Sequence, residues 1–188
     1  MANKVLFGFS DLYIGTYEDN NGSVTLGSPY HQAGAVGFSP EASDDSNTFY
    51  ADNVAYYTTM GNGSMEGDLE VAMFDDAFKT QFLGYVELDD GGLAQVKNAR
   101  KPSIYLMFEV QADEAARRCI IYNGTLGEIS REYATTEETA EPVTETIPTT
   151  FVGDNSTGIT MVTYEKGDTG YDTLFSNPPV PALPASSS

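Results

Sequence analysis

Carboxylates are the groups this chain holds in numbers large enough to do chemistry: 28 Asp and Glu against 9 Lys and Arg, a formal net charge of -19 on 188 residues. Three pairs are adjacent, Asp44-Asp45, Asp75-Asp76 and Asp89-Asp90. General acid and base work needs two carboxyl groups flanking a substrate. Neighbours on a strand point to opposite faces, so adjacency argues for turns and caps instead. Glu66, Asp68 and Glu70 are different. They alternate with Met65, Gly67, Leu69, Val71 and Met73, which predicts a strand with one apolar face and one face carrying three carboxylates. No calcium loop of the EF-hand pattern is present.

Other reactive types are scarce. His31 is the only histidine and Cys119 the only cysteine, so imidazole triads, intramolecular disulfides and cysteine-based zinc sites lack their parts. Cys119 lies within the strand-like run Arg117 to Tyr122, where a buried thiol acts as a small hydrophobe. Gly61-Asn62-Gly63-Ser64 lacks the Lys-Ser/Thr ending of a phosphate-binding loop and leads into a strand, so it reads as a turn. The Asn21, Asn62, Asn123 and Asn155 sequons matter only on a secretory route, which the N-terminal residues do not suggest. Twelve tyrosines without tryptophan, Tyr56-Tyr57 among them, suit a sugar-binding platform or the packing and subunit contacts of a β protein. No nucleophile with its base is visible, so the chain is read as no enzyme, with no cofactor.

The elements that would position these groups are mostly short strands bounded by turn residues. They are expected at Val5–Phe9, Leu12–Tyr17, Val24–Leu26, Ala35–Phe38, Val54–Thr59, Met65–Met73, Ser103–Gln111, Arg117–Tyr122, Thr125–Arg131, Val143–Val152 and Ile159–Glu165. Asn123-Gly124 predicts a hairpin turn. One helix is expected over about 74–88, from Phe74, Ala77, Phe78, Phe82 and Tyr85 at helical spacing, with Asp75 and Asp76 in its first turn and Asp89 to Gly92 as its stop. Its aromatic stripe should close the core of the sheet. Residues 39–53 are polar and read as a long inter-strand loop. Asn177 to Ser188 holds four prolines and reads as an extended arm that docks on a neighbour or stays loose. The domain is therefore set at 1–176, with an arm at 177–188.

Charge decides against several functions. An anionic chain does not wrap phosphates, and no apolar run approaches the length of a membrane span. Six of the nine cations fall within residues 97–131, between two acidic stretches, an arrangement suited to binding copies of the same chain through complementary patches.

Phe49-Tyr50-Ala51-Asp52-Asn53-Val54-Ala55-Tyr56, followed by a turn, the acidic strand and a helix near Leu83-Gly84-Tyr85, resembles the major tail proteins, or tail tube proteins, of long-tailed bacteriophages, particularly those of Gram-positive hosts. The order of elements matches from about residue 3 to 175; the acidic, Thr-rich 132–150 departs from it. The resemblance implies a mainly β fold, a sandwich or half-barrel of tail-tube type with one packed helix, a long inter-strand loop and extended terminal arms. It implies a structural virion subunit, assembled in the host cytoplasm into stacked, hexameric rings. The tape-measure protein occupies the lumen of such a tube, DNA passes through it, and tail terminator and distal tail proteins close its ends. On this reading Glu66, Asp68 and Glu70 face the lumen. Asp44, Asp45, Phe49, Tyr50, Asp52, Arg117 and Arg118 are expected at contacts between subunits or rings. The rival from another class is a carbohydrate-binding or adhesion-type β-sandwich of a virion or cell surface.

Overall fold

The computed structural model describes residues 6–43, 46–51, 54–60, 63–112, 115–133 and 143–184. The strands in chain order are β1 (Leu6–Asn20), β2 (Ser23–Leu26), β3 (Tyr30–Gln32), β4 (Ala35–Ser43), β5 (Ser46–Ala51), β6 (Val54–Met60) and β7 (Ser64–Val71). A single described helix, α1 (Asp76–Leu83), separates these from β8 (Val86–Glu87), β9 (Leu93–Ala94), β10 (Ile104–Ala112), β11 (Arg117–Leu126), β12 (Ser130–Arg131), β13 (Glu145–Phe151) and β14 (Met161–Glu165).

The main sheet is antiparallel, in the order β2-β1-β10-β11-β13-β7-β4. Its centre is buried on both faces, and strand alternation explains how. From β10, Ile104, Leu106 and Phe108 point into one core and Tyr105 and Met107 into the other; from β11, Cys119 and Ile121 face the first, Ile120 and Tyr122 the second. The first core is closed by Phe74, Phe78, Phe82 and Leu83 from α1 and its approach, against Leu69, Val71, Ile147 and Phe151. Phe74 and Phe78 stack with centroids 4.6 Å apart, and Phe78 and Phe82 meet at 5.3 Å. Each fully buried ring contributes roughly 1.5–3 kcal/mol from area alone. The second core is covered by the segment after β14, through Leu174 and Phe175.

The mainly β architecture with one packed helix stands; several local expectations change. The helix is shorter than 74–88. Asp75 caps it, accepting the Phe78 N–H at 2.7 Å, and Gly84 ends it with φ 71°. A Cβ at Gly84 would also sit 2.8 Å from that of Ala99. Asp89 to Gly92 form the tip of the β8–β9 hairpin, where Leu88 N–H meets the Gly92 carbonyl at 2.7 Å. Met73 lies beyond β7 and is 65% exposed, so the apolar alternation ends at Val71.

Asn123-Gly124 makes no hairpin turn: β11 runs through it. Before this pair β11 bonds to β14, and from Gly124 onward to β13. Asn123 takes φ 54°, and a Cβ on Gly124 would lie 2.3 Å from the Phe151 ring, so the pair serves a change of neighbour and a close approach. The 39–53 stretch is largely strand: β4 continues to Ser43 and β5 starts at Ser46. β4 and β7 pair as far as Ser43 and Ser64, and β5 and β6 pair from Ser46 and Met60 as a separate two-stranded ribbon. The proline arm lies on its own subunit at least to Pro181, which is buried, with Tyr122 Oη donating to the Pro179 carbonyl at 2.8 Å.

Candidate functional surface

The three carboxylates of β7 lie on the face opposite the core. Glu66 and Asp68 are exposed and Glu70 is half-buried, whereas Leu69 and Val71 are fully enclosed. The neighbouring strands extend this face in register. Glu66 sits between Glu41 of β4 and Thr150 of β13, Asp68 between Ser39 and Pro148, and Glu70 between Gly37 and Thr146. Thr144 Oγ1 donates to the Glu70 carboxylate, and Thr149 Oγ1 to the Gly67 carbonyl at 2.7 Å. The result is a shallow groove of about 600 Å³ whose lining includes Glu41, Glu66, Asp68, Pro148 and Thr150. Its strands lie close because Gly67 has no side chain: a Cβ there would stand 2.5 Å from the Ser39 carbonyl. Like charges opposed across strands, as Glu41 and Glu66 are, destabilise a sheet. Glu41 was not among the sequence-derived candidates; the β4–β7 register that brings it to Glu66 is not written in either segment.

The ribbon places Phe49 opposite Tyr57 and Tyr50 opposite Ala55 in backbone register. Asp44, Asp45 and Asp52 lie outside the described residues, as do residues 134–142 of the acidic 132–150 segment. Arg117 and Arg118 are both engaged inside the subunit. Arg117 pairs with Glu165. Arg118 Nε donates to Glu109 at 2.8 Å and its Nη1 to the Tyr171 carbonyl at 2.8 Å, while the guanidinium lies 4.3 Å from the Tyr171 ring centroid and 4.4 Å from that of Phe175. It clamps the C-terminal segment onto the sheet.

The remaining titratable groups explain themselves as structure. Asp154 is 2% exposed. Burial works against its charge, but hydrogen bonds from Thr157 Oγ1 and N–H, Tyr17 Oη and Ser156 Oγ, at 2.6–2.7 Å, outweigh it and hold the carboxyl down at about 2. Such a group stays ionised at neutral pH and organises the turn between β13 and β14. Sequence reading passed over it, although Asp-Asn-Ser-Thr-Gly is a turn signature. Burial and the hydrogen bond to the Asp75 carboxylate push the Tyr30 phenol up to about 12, tying β3 to the helix cap. Burial pushes the Cys119 thiol up, its sulfur 3.5 Å from Thr163 Oγ1. His31 is exposed, its ring 4.8 Å from that of Tyr13. Tyr17, Tyr105 and Tyr122 are buried with their hydroxyls bonded inside the subunit, a packing role rather than a platform. Among the described residues no group of three His, Cys, Asp or Glu is placed to hold a metal, and no helix is long and apolar enough to cross a membrane.

The described residues form a mainly β subunit with one packed helix and an acidic sheet face. The family model described as phage tail tube protein matches residues 2–155, and the chain belongs to that family. It is thus a structural protein of the bacteriophage virion, a component of the tail, in a family that is not one of enzymes. Among solved structures, the tube-terminating cap of the anti-feeding prophage superposes with TM-score 0.50 at 8% identity, covering 88% of this chain and 95% of that one. The sheath-tube complex of an extracellular contractile injection system gives TM-score 0.43 at 9% identity, over 82% and 88%. No curated protein matches the sequence.

Proposed function

We propose that copies of this subunit form hexameric rings that stack into the tail tube, with the acidic face of β4, β7 and β13 turned to the lumen. The observation that carries this is the register itself: Glu41, Glu66, Asp68 and Glu70 share one face with Gly, Ser, Thr and Pro and no large apolar side chain. A wall of that kind gives phosphates nothing to hold and repels them within a Debye length of roughly 10 Å. With four strands from each of six subunits, the number the tail-tube resemblance implies and one more than β4, β7 and β13, about 4.8 Å spacing and a tilt near 40° make a barrel roughly 48 Å across the backbone. About 5 Å of side chain on each side leaves roughly 38 Å, wider than duplex DNA and wide enough for a tape-measure protein. The β5–β6 ribbon supports a contact between rings, because a lone two-stranded hairpin is marginal in water and gains from a partner. Phe49 and Tyr50 fall on this ribbon, and Asp44, Asp45 and Asp52, outside the described residues, are proposed with them from their neighbouring sequence positions. Terminator and distal tail proteins would cap the tube's ends, with assembly in the host cytoplasm.

Negative-stain electron microscopy of purified protein across a concentration series tests this. Hollow tubes or six-fold rings are expected, and tubes built from Glu66→Lys/Asp68→Lys subunits should retain DNA that wild-type tubes release. A chain that stays monomeric at every concentration, with and without a preformed tail tip, refutes the ring; tubes whose DNA retention ignores these two charges refute the lumen assignment.

A further inference from the structure

Most cations of this acidic subunit are already paired. Lys79, Lys101, Arg117, Arg118 and Arg131 bind Asp76, Glu128, Glu165, Glu109 and Glu145 respectively. Among the described residues Lys97, Arg100 and Lys166 have no ion pair, and the first two lie together on the exposed strand-to-strand connection after β9. Val96 to Ala99 form a turn, closed by the Ala99 N–H on the Val96 carbonyl at 3.3 Å, with Asn98 at φ 61°.

The same place carries an unpartnered apolar face. Val86 is directly opposite Ala94 in the β8–β9 ladder, so Val86, Leu88, Ala94 and Val96 fall on one side by alternation. The other side carries Glu87, Leu93 and Gln95, of which Leu93 is half-buried and the exposed Gln95 bonds to Glu128 at 2.6 Å. Val86, Leu88 and Val96 are 49%, 48% and 44% exposed. Asp89 and Asp90 occupy the hairpin tip, at the far end from Lys97 and Arg100.

A second apolar cluster has the opposite charge beside it. Val36, Met73 and Val143 are 48%, 65% and 50% exposed. They share one end of three adjacent strands, since Val71 pairs with both Ala35 and Glu145. Asp75 and Asp76 come two and three residues after Met73; Asp75 accepts from Phe78 N–H and Tyr30 Oη, and Asp76, paired with Lys79, keeps its side chain 79% exposed. This cluster stands at the N-terminus of α1 and the first at its C-terminus, about 12 Å apart along the helix at 1.5 Å per residue. Two different patches of complementary charge at opposite ends of one rigid element make a head-to-tail contact, which closes into rings where the rotation permits.

We propose that the Val86–Val96 face, flanked by Lys97 and Arg100, docks on the Val36–Met73–Val143 face, flanked by Asp75 and Asp76, of a second copy of this chain. This rests on the ring-forming reading and names its surfaces. Apolar centres with charged rims are the usual anatomy of such contacts, and the rim charges choose the partner face.

Cysteine cross-linking tests it on the full chain, with Cys119 buried and out of reach. Val96→Cys and Met73→Cys are made separately, mixed in equal amounts under assembly conditions and oxidised. The mixture should give disulfide-linked dimers and neither variant alone should. Dimers from Val96→Cys alone would show a face meeting itself and overturn the proposal. Rings or tubes in the micrographs without mixed dimers would overturn it while leaving the tube reading intact. Absence of rings and tubes from wild-type protein would remove both. Independently, Lys97→Glu/Arg100→Glu should raise the concentration needed for assembly about tenfold, with the monomer's thermal midpoint unmoved; an unchanged assembly threshold counts against the pairing of charges.

Discussion

Replacing Arg118 by Ala should detach the C-terminal segment from the sheet, and the geometry sets the size of the effect. The guanidinium lies over two rings at 4.3 and 4.4 Å, contacts worth about 0.5–1 kcal/mol each at partly exposed sites. Its hydrogen bond to Glu109 joins two side chains only 21% and 14% exposed, so the charge-assisted bond contributes about 1.5–3 kcal/mol, part of it the cost of leaving Glu109 half-buried with Tyr171 Oη at 3.1 Å as its remaining partner. Together these give a loss of about 3 kcal/mol. For a chain of this size that lowers the thermal midpoint by roughly 6–12 °C. Arg118→Lys keeps the charge but not the planar fork between the rings, so it should lose about half as much. Urea unfolding of the monomer gives the global number, and limited chymotrypsin digestion at Tyr171 and Phe175 gives the local one. A loss under 1 kcal/mol in Arg118→Ala, equal losses for Ala and Lys, or unchanged cleavage would each refute the clamp. This also bears on Arg117 and Arg118 as contacts between subunits: reversing them unseats their own subunit first, so failed assembly of such a variant says nothing about a neighbour.

Three more perturbations have signs fixed by the structure. Because the Asp154 carboxyl titrates near 2 when folded and near 3.8 otherwise, its contribution of about 2 kcal/mol is whole above pH 4 and is lost as pH falls toward and through 2; urea midpoints between pH 5 and 2 should show that loss in wild type and not in Asp154→Asn. Gly124→Ala should cost about 1–3 kcal/mol by driving a methyl into the Phe151 ring, measured as a lower urea midpoint at constant slope, and a neutral result would mean that the crossing at this point is loose. Glu41→Gln should stabilise the monomer by about 0.2–1 kcal/mol by removing the charge opposed to Glu66; destabilisation would show that the pair is not in repulsion.

The acidic face was legible because β7 obeys period two for its whole length, so Glu66, Asp68 and Glu70 had to share a side whatever they packed against. The helix was legible from its phenylalanines but not its end. Tyr85 fits the helical stripe, and it masked the local stop at Gly84, whose left-handed conformation ends the helix beside Ala99. Asn123-Gly124 carried a strong local turn signal and was overridden by long-range pairing with two strands. The 39–53 stretch looked like loop because its residues are small and polar. That is also what strands need when one face is wet and the backbones crowd, as at Gly67. Arg117 and Arg118 were read from charge alone, and no local pattern announces that a partner such as Tyr171 waits more than fifty residues on. The face of Val86 and Val96 needed a four-residue ladder too short to stand out from its turn.

The order of pairing has a consequence for how the chain must be made. β1, the first of the described strands in chain order, finds its main partner in β10, with Ile14 opposite Leu106, about ninety residues later. β7 likewise waits for β13, some eighty residues on. Pairings so distant in sequence are slow to form, and until they do, strand edges and apolar faces stand open to other chains. β4 and β7 lie closer in sequence, Ser43 opposite Ser64 across about twenty residues, so their pairing is expected earlier, with Glu41, Glu66, Asp68 and Glu70 along one side. A nascent chain bearing that much like charge is expected to repel its siblings, so the same carboxylates would oppose premature aggregation whatever face they occupy in an assembly.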